Sequence, residues 1–185
     1  MNKTMRITGG TLVRRRFLIP DLVDENVVRP TPDRVRESLF SIIQEYLKDA
    51  IVLDLFAGSG AHGFEAISRG AKSVTFVEKN PRIAQVIKEN ILQLELGAQC
   101  NLVLADALHY VANAPKVIAK VIFVDPPYSL VLGKDFFDQL SRHLTQDGIL
   151  VFRCFKKEVI DFGQRYSIMR DRVYGGTRVF ILRRA

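Results

Sequence analysis

The chain has 185 residues, 48% of them hydrophobic and 25% charged, which reads as one soluble globular domain with a real core. No run reaches the roughly 18 apolar residues of a membrane span, and the opening MNKTMRITGG lacks a signal-peptide core; a cytoplasmic protein is expected. Net charge is +7, which hints at a polyanionic partner, while Cys100 and Cys154 sit far apart, without CxxC spacing or a histidine cluster, so no metal site is expected.

Residues 1–20 hold Lys3, Arg6, Arg14, Arg15 and Arg16 and no acid, and Arg29, Arg34 and Arg36 follow. This reads as a basic arm that neutralises phosphates. MRITGGTLVRRRFLIP predicts a small hairpin turning at Gly9-Gly10. In PDRVRESLFSIIQEYL (32–47), Val35, Leu39, Ile42, Ile43 and Tyr46 recur at helical spacing. Thr31 is placed to cap this helix and Pro32 to occupy its first turn. Residues 1–48 thus form an N-terminal extension to a body spanning 49–185.

The body alternates. IVLDLF (51–56) is a continuous apolar strand, as a sheet covered on both faces requires. A glycine turn and a helix to about Arg69 follow, then the strand SVTFVE (73–78) and a helix over 80–96. CNLVLAD (100–106), VIFVD (121–125) and GILVFRC (148–154) predict three more strands separated by helices. This order predicts a parallel sheet with right-handed crossovers. YSIMRDRVYGGTRVFILRR instead predicts an antiparallel hairpin around Gly175-Gly176. The expected fold is α/β and Rossmann-like: a seven-stranded, mostly parallel sheet ending in that hairpin.

Ligands of such sheets sit at the carboxyl ends of the strands. Four features fall there: DLFAGSGAHG (54–63), Glu78, Asp106 and DPPY (125–128). Gly58, Gly60 and Gly63 make a G-x-G-x-x-G turn between strand and helix, which nicotinamide and flavin enzymes share. Glu78, about 20 residues further on, can hold ribose hydroxyls of NAD or of S-adenosylmethionine equally well. The DPPY turn discriminates between them. An exocyclic amine on a base is a poor nucleophile because its lone pair is delocalised into the ring. A carboxylate and a backbone carbonyl that accept its two N–H bonds draw the nitrogen toward tetrahedral geometry and aim the lone pair at a methyl donor. Pro126 and Pro127 stiffen the turn, and Tyr128 offers a ring to stack on the base.

With these residues the chain resembles the class I S-adenosylmethionine-dependent methyltransferases that act on exocyclic amines. RITGG near the start, RPTPDRVRESLF (29–40), GSGAHGFEAISRGA (58–71), VEKN (77–80) and YGGT (174–177) narrow the resemblance to the RsmD family of bacterial 16S ribosomal RNA (guanine-N2) methyltransferases. That resemblance implies roles. Asp54 and Gly58, Ser59 and Gly60 would contact the methionine part of S-adenosylmethionine, with Phe56 in the same loop. Glu78 would bind the ribose beside Lys79, and Asp106 and Ala107 would lie near the adenine. Asp125, Pro126, Pro127 and Tyr128 would hold the target guanine. Arg29, Thr31, Arg34 and Arg36 would line the RNA side, and Arg14, Arg15 and Arg16 would grip phosphates of 16S rRNA in the small subunit or its assembly intermediate. A monomer is expected. Two departures stand out: His62 in the glycine loop, read as structural, and the basic Arg153, Lys156 and Lys157 where relatives tend to carry an acid. The alternatives are a DNA amino-methyltransferase acting on adenine N6 or cytosine N4, for which the chain has little room for a target-recognition domain, and a noncatalytic RNA-binding module.

Overall fold

A computed structural model of the protein describes residues 3–21, 33–115 and 117–185. In chain order the elements are β1 (Thr4–Arg6), β2 (Arg16–Leu18), α1 (Asp33–Ile42), α2 (Gln44–Leu47), β3 (Ile51–Leu55), α3 (Ala61–Ser68), β4 (Ser73–Glu78), α4 (Pro81–Gln93), β5 (Cys100–Leu104), α5 (Ala107–Asn113), β6 (Ala119–Val124), α6 (Lys134–Leu140), β7 (Leu144–Phe155), β8 (Tyr166–Tyr174) and β9 (Thr177–Arg184). The main sheet has the order β5-β4-β3-β6-β7-β9-β8. β3 to β7 pair in parallel, and β9 runs antiparallel to both β7 and β8. Among the described residues no helix is long and apolar enough to cross a membrane.

Strand period builds the two core layers. Val52, Val74, Phe76, Val121, Phe123, Ile149 and Val151 face one layer; Leu53, Leu55, Val77, Ile122, Val124, Leu150 and Phe152 face the other. Side chains alternate across a pleated strand, so strands buried on both sides are apolar throughout. The first layer is closed by Phe64 and Ile67 of α3 and by Ile83, Ile87 and Ile91 of α4. The second is closed by Tyr110 and Val111 of α5 and by Phe136, Phe137 and Leu140 of α6. Gly63 is needed here: a Cβ on it would lie 2.1 Å from the Phe76 ring, so only glycine lets α3 approach β4.

The N-terminal segment completes the first layer. Met5, Ile7 and Phe17, with Leu39, Phe40, Ile43 and Leu47, belong to the same buried cluster as β3 and β4. The expected hairpin forms, but it closes through residues 7–15 and not through a two-residue Gly9-Gly10 turn: Ile7 and Arg15, and Arg14 and Ile7, exchange backbone bonds across the loop. Gly10 instead serves close approach. It has φ 81°, and a Cβ would fall 1.8 Å from the Ser68 carbonyl, where Thr11 N–H donates at 2.7 Å. The helix expected over 32–47 is interrupted at Ile43, giving α1 and α2. Its expected cap, Thr31, and Pro32 lie outside the described residues.

An ionic clamp fastens α1 to α3. Arg36 and Glu65 are both fully buried. Arg36 Nε donates to Glu65 Oε2 at 3.2 Å, and its Nη2 to Asp33 Oδ1 at 3.0 Å and to the Arg6 carbonyl. Glu65 also accepts from Thr8 N–H, Thr8 Oγ1 and Arg69 Nε. Arg36 therefore corrects the expectation that it lines the RNA side: its charge is spent inside the protein, where buried charges persist only when paired and hydrogen-bonded.

Candidate active site

The carboxyl ends of β3, β4, β6 and β7 open into a cavity of about 950 Å³. Its first wall is the turn after β3. Phe56, Gly58 and Gly60 all take left-handed backbone angles, and Ala57 N–H bonds the Val77 carbonyl at 3.1 Å. Gly58 N–H donates to Glu78 Oε2 at 3.0 Å, and Asn80 N–H donates to Oε1 at 2.9 Å. The Glu78 carboxylate is thereby fixed at the cavity wall next to Lys79 and Ser59, with lone pairs still able to accept from hydroxyls.

Asp54 lies beneath this turn and does not line the cavity. Its Oδ2 accepts from Gly63 N–H at 3.0 Å, while its buried Oδ1 has no partner among the described residues. Burial holds its carboxyl well above the usual carboxylate range; the Gly63 bond opposes this, and the nearby charges of Asp125 and Glu78 add to it. Asp106 caps α5, accepting from Leu108 N–H at 2.9 Å and His109 N–H at 3.2 Å. Its neighbours Ala105 and Ala107, with Val77 and Ile83, provide an apolar corner of the cavity.

Asp125, Pro126, Pro127 and Tyr128 form the facing wall. The Pro127 carbonyl accepts from Leu130 N–H at 2.9 Å, which closes the turn. Tyr128 OH bonds Thr177 Oγ1 at 2.5 Å, and its ring meets Phe155 edge-on with centroids 6.0 Å apart. Asp125 is ion-paired with Arg153 Nη1 through Oδ2. Burial pushes the Asp125 carboxyl up, and the charge and hydrogen bond of Arg153 pull it back.

Of the residues singled out in the sequence, the cavity brings together Phe56, Gly58, Ser59, Glu78, Lys79, Ala107 and the whole DPPY turn. Asp54, Gly60 and Asp106 support it from behind. Arg34 is exposed beside Val35, which lines the cavity, whereas Arg29 and Thr31 lie outside the described residues. Arg14, Arg15 and Arg16 are exposed at the other end of the sheet. Arg15 Nη2 donates to the carbonyl of Gln93, the last residue of α4. α4 starts at the cavity and runs 13 residues away from it, about 20 Å at 1.5 Å per residue.

Four contributors went unassigned in the sequence. His62 lines the cavity, stacked on Phe123 with centroids 5.1 Å apart and on Phe40 at 6.3 Å. Arg153 and Phe155 come from β7, and the Tyr174–Thr177 turn closes the rim. The signal for that turn was strand direction: β8 runs the same way as β7, so a hairpin after it must turn at the carboxyl edge.

This sheet order, with the glycine turn, the strand-end acid and the DPPY wall at its carboxyl edge, defines a class I methyltransferase fold. A solved RNA methyltransferase from Salinibacter ruber, in complex with S-adenosyl-L-homocysteine, superposes with a TM-score of 0.64 over 83% of this chain and 92% of that one; at 15% identity it bears on the fold alone. The Escherichia coli protein yhhF superposes with a TM-score of 0.84 at 30% identity, over 98% of both chains. The ribosomal RNA small subunit methyltransferase D of Haemophilus influenzae is 31% identical over 177 residues, 92% of this chain and 89% of that one. The profile of the family described as Conserved hypothetical protein 95 matches residues 5–183. The chain belongs to this family, the ribosomal RNA small subunit methyltransferase D (RsmD) family.

Proposed function

We propose that the protein transfers a methyl group from S-adenosylmethionine to the exocyclic N2 of a guanine in 16S ribosomal RNA, within the small subunit or a late assembly intermediate. The observation that carries the reading is the placement of the Asp125 carboxylate and the stiff Pro126-Pro127 turn across one cavity from Glu78. The names of the relatives support ribosomal RNA as the substrate.

When bound, S-adenosylmethionine supplies a methyl group on a positively charged sulfur that departs as a neutral thioether, so no strong base is needed. Glu78 would accept from its ribose hydroxyls, and the turn from Gly58 to Gly60 would hold its amino-acid end. Asp125 and the Pro126 carbonyl accept the two N2–H bonds and turn the lone pair toward the donor side. Tyr128 and Phe155 offer apolar surface to a base taken out of its stack. Asp125 acts as an acceptor; the proton that the methylated amine must shed leaves toward the open, RNA-facing rim.

The test compares acceptors. Small subunits lacking methylation, naked 16S rRNA and duplex DNA are incubated with labelled S-adenosylmethionine, and the digests are read by mass spectrometry. N2-methylguanosine from the small-subunit RNA is the expected product. Label confined to DNA as N6-methyladenine or N4-methylcytosine would move the assignment to a DNA amino-methyltransferase.

A further inference from the structure

Arg153 has no part in the chemistry above, yet it sits against the residue on which that chemistry turns. β6 and β7 are paired in parallel with Val124 opposite Phe152. The next residues, Asp125 and Arg153, are therefore level at the carboxyl edge. The Arg153 side chain is 7% exposed and lines the cavity. Its Nη1 donates to Asp125 Oδ2, and because each carboxylate oxygen carries two lone pairs, both can still accept from a base.

A guanidinium carries five donors in one rigid plane. Side by side, the Asp125 carboxylate and the Arg153 guanidinium present acceptors followed by a donor. The Watson–Crick edge of guanine presents the complement: N2–H and N1–H donate and O6 accepts. Adenine presents an amine and then a bare N1 lone pair, which would face the carboxylate and be repelled. We infer that Arg153 is a specificity-determining residue that donates to O6 of the target base while holding Asp125 toward N1–H and N2–H. This rests on the guanine-N2 reading given above.

The test replaces only O6. Small-subunit RNA is transcribed with a minor share of 6-thioguanosine and assembled into subunits. Sulfur keeps N1–H and N2 but accepts hydrogen bonds poorly. After reaction, N2-methylguanosine and its 6-thio counterpart are quantified from the same digest and corrected for the share supplied. Wild-type protein is expected to prefer guanine about tenfold or more, the scale of losing a hydrogen bond to a charged group. Arg153→Met is expected to narrow that preference to within about twofold, and Arg153→Lys, which keeps a charged donor, to retain part of it. A structural role for Arg153 would lower the yield of both products and leave their ratio unmoved. Equal use of both bases by the wild type, or an undiminished preference in Arg153→Met, would overturn the inference. If the wild type makes no N2-methylguanosine at all, it is the guanine-N2 reading that fails; normal N2-methylguanosine without discrimination sinks the role of Arg153 alone.

Discussion

Replacing Glu65 by leucine removes the centre of the clamp between the N-terminal segment and the body. The carboxylate is fully buried and accepts from Thr8 N–H at 2.9 Å, Thr8 Oγ1 at 2.7 Å, Arg36 Nε at 3.2 Å and Arg69 Nε at 2.8 Å. Leucine would leave two guanidinium groups facing each other, with Arg36 fully buried and Arg69 only 10% exposed. Removing one partner of a buried pair costs about 3–5 kcal/mol, and the stranded Thr8 N–H adds about 1–3 kcal/mol. Neighbouring losses are not additive, so the expected total is about 4 kcal/mol. That is a large part of the roughly 5–15 kcal/mol by which domains are stable. At about 2–4 °C per kcal/mol for a chain of this size, Tm falls by about 10 °C. Urea titration and thermal melting measure both. Arg36→Met in the same background should recover part of the loss, because it removes a buried cation that has lost its Glu65 partner. A Glu65→Leu variant within about 1 kcal/mol of wild type would refute the claim that this network fastens α1 to the core.

The other predictions concern charge and pH. The proposed role of Asp125 as acceptor needs its carboxyl ionised, a group that burial raises and Arg153 lowers; the rate is therefore expected to fall as pH drops through that raised value, and Arg153→Met to move the acid limb of kcat/KM to higher pH. A limb that stays in place would argue against Asp125 as the acceptor. His62 is held well below its ordinary value, by burial first and then by the charges of Arg153 and Arg36. As pH falls below about 6.5 the unfolded chain takes up a proton that the folded chain refuses, so stability declines. His62→Phe removes that contribution, and urea titrations at pH 7 and pH 5 should show wild type losing more than the variant. Joint Arg14, Arg15 and Arg16→Ala should weaken RNA binding and flatten its log–log salt dependence by up to about 0.9 per lost phosphate contact; an unchanged slope would show that this end of the molecule does not meet RNA.

Much of the fold was legible because strands buried on both faces must be largely apolar, as VIFV and GILVF are and as IVLDL is apart from Asp54. The DPPY turn and Glu78 were legible because their chemistry needs those residue types at strand ends. What sequence left hidden depends on long-range pairing. Arg36 sits among arginines in the chain, and the partner carboxylate on α3, 29 residues away, turns it inward together with Asp33 and the Arg6 carbonyl. Gly9-Gly10 suggested a tight turn; the need for Gly10 came from the Ser68 carbonyl pressed against it. The pairing of Arg153 with Asp125 depends on β6–β7 register, which no local pattern states. The distance of Arg14 to Arg16 from the cavity follows from where the hairpin docks on α3 and α4.

The most direct test of the central claim is a two-part measurement on Asp125→Ala. Calorimetry reads S-adenosylmethionine binding, and mass spectrometry of digested small-subunit RNA reads N2-methylguanosine. The variant is expected to bind the cofactor as wild type does, because the glycine turn and Glu78 are untouched, and to lose nearly all product. Full methylation by this variant would contradict the placement of the reaction at the DPPY turn.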